Sequence, residues 1–241
     1  MRADSPYISV IIPVYNETLR LKNLYLIDVF LKNKNYKSEV VVVNDGSNGK
    51  TKKILNKVKK DLKIKVISYD RNMGKGYAVK VGMLESKGKY KFFMDVDLSV
   101  PLENIDGFLK FVGDYDAIIS SRRKKNSNII EHQSFIRELL GRGYTFISQK
   151  FLGLPISDFT CGFKCFSAIA AEKIFANTTI YRWGFDSEVI YLAKFFKYKI
   201  HEVPVEWQND AKTKVKFPNA IFTSAYELLK IKMNIIGKKY K

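Results

Sequence analysis

The stretch Phe92-Phe93-Met94-Asp95-Val96-Asp97-Leu98-Ser99 decides how this chain is read. Three apolar residues, preceded by Tyr90 and Lys91, mark the end of a buried strand. The strand runs directly into two carboxylates separated by one residue. An unpaired carboxylate is costly to bury, so the pair belongs at the strand's C-terminal mouth. Hard carboxylate oxygens there suit a divalent cation, and such a cation clamps a diphosphate. An Asp-x-Asp spacing alone also fits the turn ahead of a helix, with Pro101 following. The surrounding chain decides between the two.

Upstream, Tyr7 to Val14 is a continuous β-branched run, the mark of a parallel strand buried on both faces. Pro13-Val14-Tyr15-Asn16-Glu17 follows, with Asn16 or Thr18 expected to cap a helix whose apolar side is Leu19, Leu24, Ile27 and Leu31. Glu39 to Val43 is a second strand, ending in Asn44-Asp45-Gly46-Ser47. A Lys-rich helix with Ile54, Leu55, Val58 and Leu62 leads to a third strand, Ile64 to Ser68. Arg71-Asn72-Met73-Gly74-Lys75-Gly76 then opens a helix through Ala78, Val81 and Leu84. Strands alternate with helices over residues 7–112, which predicts an α/β fold with a doubly wound, mostly parallel sheet. Such sheets bind ligands at the strands' C-terminal ends. Here those ends carry Tyr15, Asn16, Asp45, Arg71, Asp95 and Asp97.

Lys75 between two glycines does not match the Walker spacing, and no Gly-x-Gly-x-x-Gly follows the first strand. The Gly-Lys-Gly either brings backbone N–H groups and an ammonium to a phosphate or simply starts a closely packed helix. Farther on, Asp116 to Ser120 reads as a short strand before Ser121-Arg122-Arg123, and Lys124 to Asn128 as a polar loop. Phe135 to Leu152 reads as a helix with Ile136, Leu139, Leu140, Ile147 and Phe151 broadly on one side, among Arg137, Arg142 and Lys150. Ile200 to Trp207 returns to strand. From Phe217 a basic amphipathic helix places Phe222, Ala225, Leu229, Met233 and Ile236 in register.

The 241 residues carry 42 Lys and Arg against 24 Asp and Glu, a formal charge of +18. The excess favours an anionic partner, although many of these lysines fall on solvated helix faces. No helix-turn-helix, zinc-finger or RNP signature supports a nucleic-acid partner. Cys161 and Cys165 make no disulfide framework and lack neighbouring ligands for zinc. They read as structural thiols suited to a reducing compartment. No apolar run reaches the ~18–20 residues of a spanning helix, and the N-terminus lacks a signal-peptide core. One domain is expected over 1–241: a nucleotide-binding half at 1–112, an acceptor half at 113–216 and the basic helix at 217–241.

Four motifs in order carry a resemblance. Ile12-Pro13-Val14-Tyr15-Asn16-Glu17, Val43-Asn44-Asp45-Gly46-Ser47, Asn72-Met73-Gly74-Lys75-Gly76 and Asp95-Val96-Asp97 resemble those of family-2 glycosyltransferases of the GT-A fold. Ser121-Arg122, Asp158 to Lys164, Arg182-Trp183-Gly184-Phe185-Asp186-x-Glu188 and Val205-x-Trp207 with Thr213-Lys214-Val215 resemble the dolichyl-phosphate β-glucosyltransferases and other polyprenyl-phosphate glycosyltransferases. Asn44 and Ser120 stand where many relatives have Asp and Gly. The resemblance implies an inverting transfer of a hexose, glucose favoured, from a nucleotide sugar, UDP favoured, to a dolichyl or polyprenyl phosphate, with Mg2+ or Mn2+ as cofactor.

By position, the resemblance puts Pro13, Tyr15, Asn16, Glu17, Asp45, Ser47, Arg71, Lys75 and Asp95 on the donor nucleotide. It puts Asp95 and Asp97 on the metal, and Arg122, Arg137 and Lys214 on the acceptor phosphate. Asp97, Arg122 and Asp186 form its catalytic set. It further implies work at the cytoplasmic face of a membrane, through an anionic surface or a membrane protein partner. The alternatives are a dolichyl-phosphate mannosyl- or N-acetylglucosaminyltransferase, or transfer to a glycan hydroxyl. A phosphate monoester is largely dianionic at neutral pH, with a second pKa near ~6, and needs positioning rather than a strong base. A hydroxyl acceptor would need one, at Asp186 or Asp158. Asp186 and Glu188 equally suit holding Arg182 or a lysine in place, and Trp183 and Trp207 suit sugar stacking, a bilayer interface or plain packing.

Overall fold

The structure, a computed structural model, describes residues 5–210 and 217–241, with side chains omitted over 217–222. Its centre is a seven-stranded sheet in the order β3-β2-β1-β4-β7-β5-β8. The strands are β1 (Ile8–Val14), β2 (Ser38–Asp45), β3 (Lys65–Tyr69), β4 (Tyr90–Met94), β5 (Ala117–Ser121), β7 (Phe163–Ser167) and β8 (Ile200–Pro204). β1 runs parallel to β2 and β4, and β5 parallel to β8. β7 alone is antiparallel, between β4 and β5. β6 (Asn128–Glu131) and β9 (Glu206–Gln208) form a separate two-stranded parallel sheet.

Successive strand residues point to opposite faces, so an unbroken apolar strand feeds two cores. Phe92 and Met94 of β4 enter one core with Val40 and Val42 of β2, while Phe93 enters the other with Val41 and Val43. The first core is covered by α1 (Asn23–Lys32) and α2 (Gly49–Asp61), through Leu24, Ile27, Leu55 and Val58. The second is covered by α3 (Lys75–Glu85), α6 (Ala168–Asn177) and α7 (Phe185–Phe195), through Val79, Met83, Phe175 and Val189. The remaining helices are α4 (Asn104–Leu109), α5 (Phe135–Leu152) and α8 (Phe217–Ile236).

The structure corrects several local expectations. Neither Asn16 nor Thr18 caps the turn after β1. Glu17 does: its Oε1 accepts the N–H groups of Thr18, Leu19 and Arg20 at 2.8, 3.0 and 3.3 Å. Leu19 and Leu84 are exposed, and Leu21 and Met83 take the buried places. β7 and β6 are additional strands. Lys164 interrupts the apolar pattern of β7, yet it is fully buried. The C-terminal helix is also more than a surface stripe. Leu228 and Ile231 join the second core, and Glu227 and Asn234 are buried beside them. Among the described residues no helix is long and apolar enough to cross a membrane.

Candidate active site

Because β7 is antiparallel, it begins at the edge where β4 ends: Phe163 pairs with Met94. A cleft of about 630 Å3 opens there. Asp95, Asp97 and Ser99 line it from the exit of β4, Arg122 and Arg123 from β5, and Thr160 and Gly162 from the approach to β7. Arg137, Arg142 and Tyr144 of α5 form another wall, with Trp183, Asp186, Trp207 and Lys75 also at the surface of the cleft.

The second and third motifs act on each other. Asp45 is buried, and its carboxylate accepts the N–H groups of Met73 and Gly74 at 2.7 and 2.9 Å and the Asn72 amide at 2.7 Å. This holds the turn that delivers Lys75. Gly74 sits at φ 108°, and a Cβ there would lie 2.3 Å from the Tyr181 carbonyl oxygen, so no larger residue fits. Lys75 Nζ then reaches Asp95 Oδ1 at 2.6 Å. On the other side of that carboxylate, a Cβ on Gly162 would lie 2.1 Å from Oδ2. Asp97 Oδ1 accepts the Ser99 N–H at 3.0 Å. Burial and the adjacent Asp95 charge push the Asp97 carboxyl up, against Ser99 and Lys75. A close carboxylate pair of this kind fits a hard divalent cation. Among the described residues no group of three His, Cys, Asp or Glu converges. Asp95 and Asp97 would therefore hold such an ion together with oxygens from a ligand or water.

Arg122 is committed more deeply than the sequence suggests. Its Nε and Nη2 meet Asp158 Oδ2 and Oδ1 at 2.7 and 2.9 Å, and Nη2 also reaches Thr160 Oγ1 at 2.9 Å. The guanidinium carbon lies 5.4 Å from the Trp207 ring centre. Burial alone would raise the Asp158 carboxyl, but the Arg122 guanidinium outweighs it and holds the group well below the usual carboxylate range. The planar fork expected for an acceptor phosphate is thus largely spent on Asp158. Nη1 takes no part in these contacts.

Asp186 is placed at the cleft but bound from below. Lys164, fully buried, directs Nζ to Asp186 Oδ1 at 2.5 Å and to the carbonyls of Phe159 and Cys161 at 3.1 and 2.7 Å. Burial pushes the Asp186 carboxyl up, opposed by Lys164 and Lys75. Of the roles open to Asp186, holding a lysine is the one seen; that lysine is Lys164, and Arg182 instead donates its N–H to Glu227. Glu188 lies deeper, accepting from Thr179, Ile180 and the Tyr240 hydroxyl. Cys161 and Cys165 are buried free thiols pushed up by burial.

The other expected donor residues lie outside the lining of this cleft. Tyr15 is exposed at the end of β1, with Pro13 half-buried before it. Asn16 donates its N–H to Ser47 Oγ and accepts the Asn48 N–H, joining the ends of β1 and β2. Glu17 is occupied as a cap and by Arg20; Arg71 is exposed after β3. Lys214 lies outside the described residues. Sequence reasoning missed Arg123, Tyr144 and Gly162 as wall residues. Gly162 carried a signal, since it sits beside the Cys-Phe-Lys run, but only its contact with Asp95 explains it.

The sheet order, the carboxylate pair at the exit of β4 and the flanking motifs define a glycosyltransferase of the GT-A class. The chain belongs to glycosyl transferase family 2, whose model matches residues 9–175. It is 36% identical over 224 residues to a dolichyl-phosphate beta-glucosyltransferase of Drosophila melanogaster, covering 85% of this chain and 68% of that protein. It is 32% identical over 244 residues to a dolichyl-phosphate beta-glucosyltransferase of Trichomonas vaginalis, covering 95% and 74%. Its fold is similar to that of glucosyl-3-phosphoglycerate synthase from Mycobacterium tuberculosis in complex with UDP. There the TM-score is 0.68 at 17% identity, over 94% of this chain and 80% of that one. A mannosyltransferase from Pyrobaculum calidifontis in complex with GDP-Man and Mn2+ aligns with a TM-score of 0.62 at 17% identity, over 97% and 65%.

Proposed function

We propose that this enzyme transfers glucose, from UDP-glucose, to a dolichyl or polyprenyl phosphate with inversion at the anomeric carbon. One observation carries the reading: a single helix serves both halves of an amphiphilic acceptor. α5 turns Arg137, Arg142 and Tyr144 to the cleft. Its Phe135, Ile136, Leu139, Phe146 and Ile147 are 77, 63, 56, 59 and 48% exposed. Its buried positions are Thr145, Ser148 and Leu152, mostly polar. A soluble helix normally buries its apolar stripe; an outward one fits a lipid surface. A phosphate in the cleft and a prenyl chain outside it match this division. The names of the relatives support the same substrate class.

In this mechanism an acceptor phosphate oxygen attacks the anomeric carbon, and the bond to the nucleoside diphosphate breaks. Arg137 and Arg142, with the remaining donor of Arg122, balance the acceptor's charge and orient it. The acceptor arrives ionised, so no residue need remove a proton. That agrees with the state of the two candidate bases: Asp158 is locked on Arg122 and Asp186 on Lys164. Asp95 and Asp97 would hold Mg2+ or Mn2+, which supplies charge neutralisation to the leaving diphosphate. Lys75 adds a second cation on the donor side. The outward faces of α5 and α8 would seat the enzyme on the cytoplasmic face of an anionic membrane.

The test is direct. The protein is incubated with a panel of nucleotide sugars, Mg2+ or Mn2+ and a polyprenyl phosphate, and the lipid product is identified by mass. A hexosyl phosphate lipid is expected, made fastest from UDP-glucose. Transfer to glycan hydroxyls with no lipid product would overturn the reading.

A further inference from the structure

The Lys75–Asp95 pair does something a nucleotide-binding lysine need not do. Nζ sits 2.6 Å from Oδ1 of the very carboxylate that a metal requires. Asp95 has little room to turn away, because its Oδ2 is packed against the backbone at Gly162. Lys75 is itself fixed at its root, by Asp45 through the Asn72–Gly74 turn and by the contact of Gly74 with Tyr181. The donor-free site is therefore already neutralised by an internal cation.

We propose that Lys75 is the counter-ion that closes the metal site, so that a divalent ion binds well only together with a nucleoside diphosphate. The diphosphate offers the ammonium another anion and draws it off Asp95, and both carboxylates become available. Like charges crowd one carboxylate before that exchange and share a polyanion after it. Metal and nucleotide then favour each other by the same factor, whichever is added first. The inference rests on the proposed donor class, but its central comparison uses no nucleotide.

Mn2+ binding is measured by electron paramagnetic resonance on wild type, Lys75→Met, Lys75→Gln and Lys75→Arg, with and without UDP. Wild type is expected to bind Mn2+ weakly alone and about 10-fold or more tightly with UDP. Lys75→Met and Lys75→Gln should bind Mn2+ about 10-fold more tightly than wild type without nucleotide, with a smaller gain from UDP. Lys75→Arg, which keeps the charge, should remain weak. Asp97→Ala added to Lys75→Gln should remove the gained affinity. Gln retains a donor for Asp95, so it gives the answer if the Met variant fails to fold. Neutral variants that bind Mn2+ no better than wild type overturn the proposal, as does a gain that survives Asp97→Ala. A gain in the neutral variants with no response to UDP in any protein supports the counter-ion and counts against the UDP donor instead.

Discussion

Asp158 gives the clearest residue-scale consequence, because it is wholly buried against one guanidinium. Its folded pKa lies below the unfolded value of about 3.9. The pair's stabilisation is therefore fully present above about pH 4 and is lost as pH falls toward the folded pKa. Asp158→Asn leaves Arg122 half-buried without its charge partner, and about 3–5 kcal/mol of stability should be lost at neutral pH. Denaturant titrations at pH 7 and pH 3 should show the gap between variant and wild type narrowing in acid; a gap that stays constant would assign the loss to packing. At the same scale, Asp97→Ala should abolish turnover by more than 100-fold, about 2.7 kcal/mol of transition-state stabilisation. Its melting temperature should be unchanged, and chelator should silence wild type reversibly. Asp95 and Asp97 were legible because carboxylates directly after a strand have few structural uses. Lys164 and Glu227 were not, since nothing local distinguishes a lysine or glutamate that will be buried from one that will be solvated.

At the scale of elements, the parallel half of the sheet could be read from β-branched runs, because strands buried on both faces are written as continuous apolar segments. β7 could not, since Lys164 at its centre breaks that run and its compensation comes from Asp186, remote in sequence. The helix Phe135–Leu152 was legible as a helix, with its span as expected. Which side it buries was not, because a periodic stripe predicts a face and not what covers it. The outward stripe makes a prediction. Leu139→Ser with Phe146→Ser removes two side chains that touch little of the core, so stability should change by less than about 1 kcal/mol. Turnover with a long-chain polyprenyl phosphate in vesicles should fall at least ~10-fold, while UDP affinity stays the same. An equal loss with a short, water-soluble acceptor phosphate would place the defect in the cleft instead of at the lipid surface.

At the scale of the whole molecule, the charge of +18 and the exposed apolar faces act together. α5 and α8 are in contact, with Lys232 Nζ donating to the Phe151 carbonyl at 3.0 Å. α8 adds exposed Tyr226, Leu229, Met233 and Ile236 to the stripe of α5. Exposed Lys150, Lys230 and Lys239 accompany these stripes. Each basic residue near an anionic headgroup adds ~1 kcal/mol, and buried apolar side chains add a term insensitive to salt. Deleting α8 would be a poor test, because Leu228 and Ile231 sit in the core and Glu227 holds the Arg182–Gly184 turn beside the cleft. Charge substitution is cleaner. Lys150→Gln, Lys230→Gln and Lys239→Gln together should weaken partition into anionic vesicles by roughly 100-fold, the equivalent of about 3 kcal/mol. Binding of wild type should weaken with added salt, through screening over a Debye length of ~8–10 Å. Co-sedimentation across a salt series, with neutral vesicles alongside, measures both effects. Equal recovery of wild type on neutral and anionic vesicles would show that the basic residues are solvated bystanders, and membrane attachment would then rest on the apolar faces or a membrane protein partner.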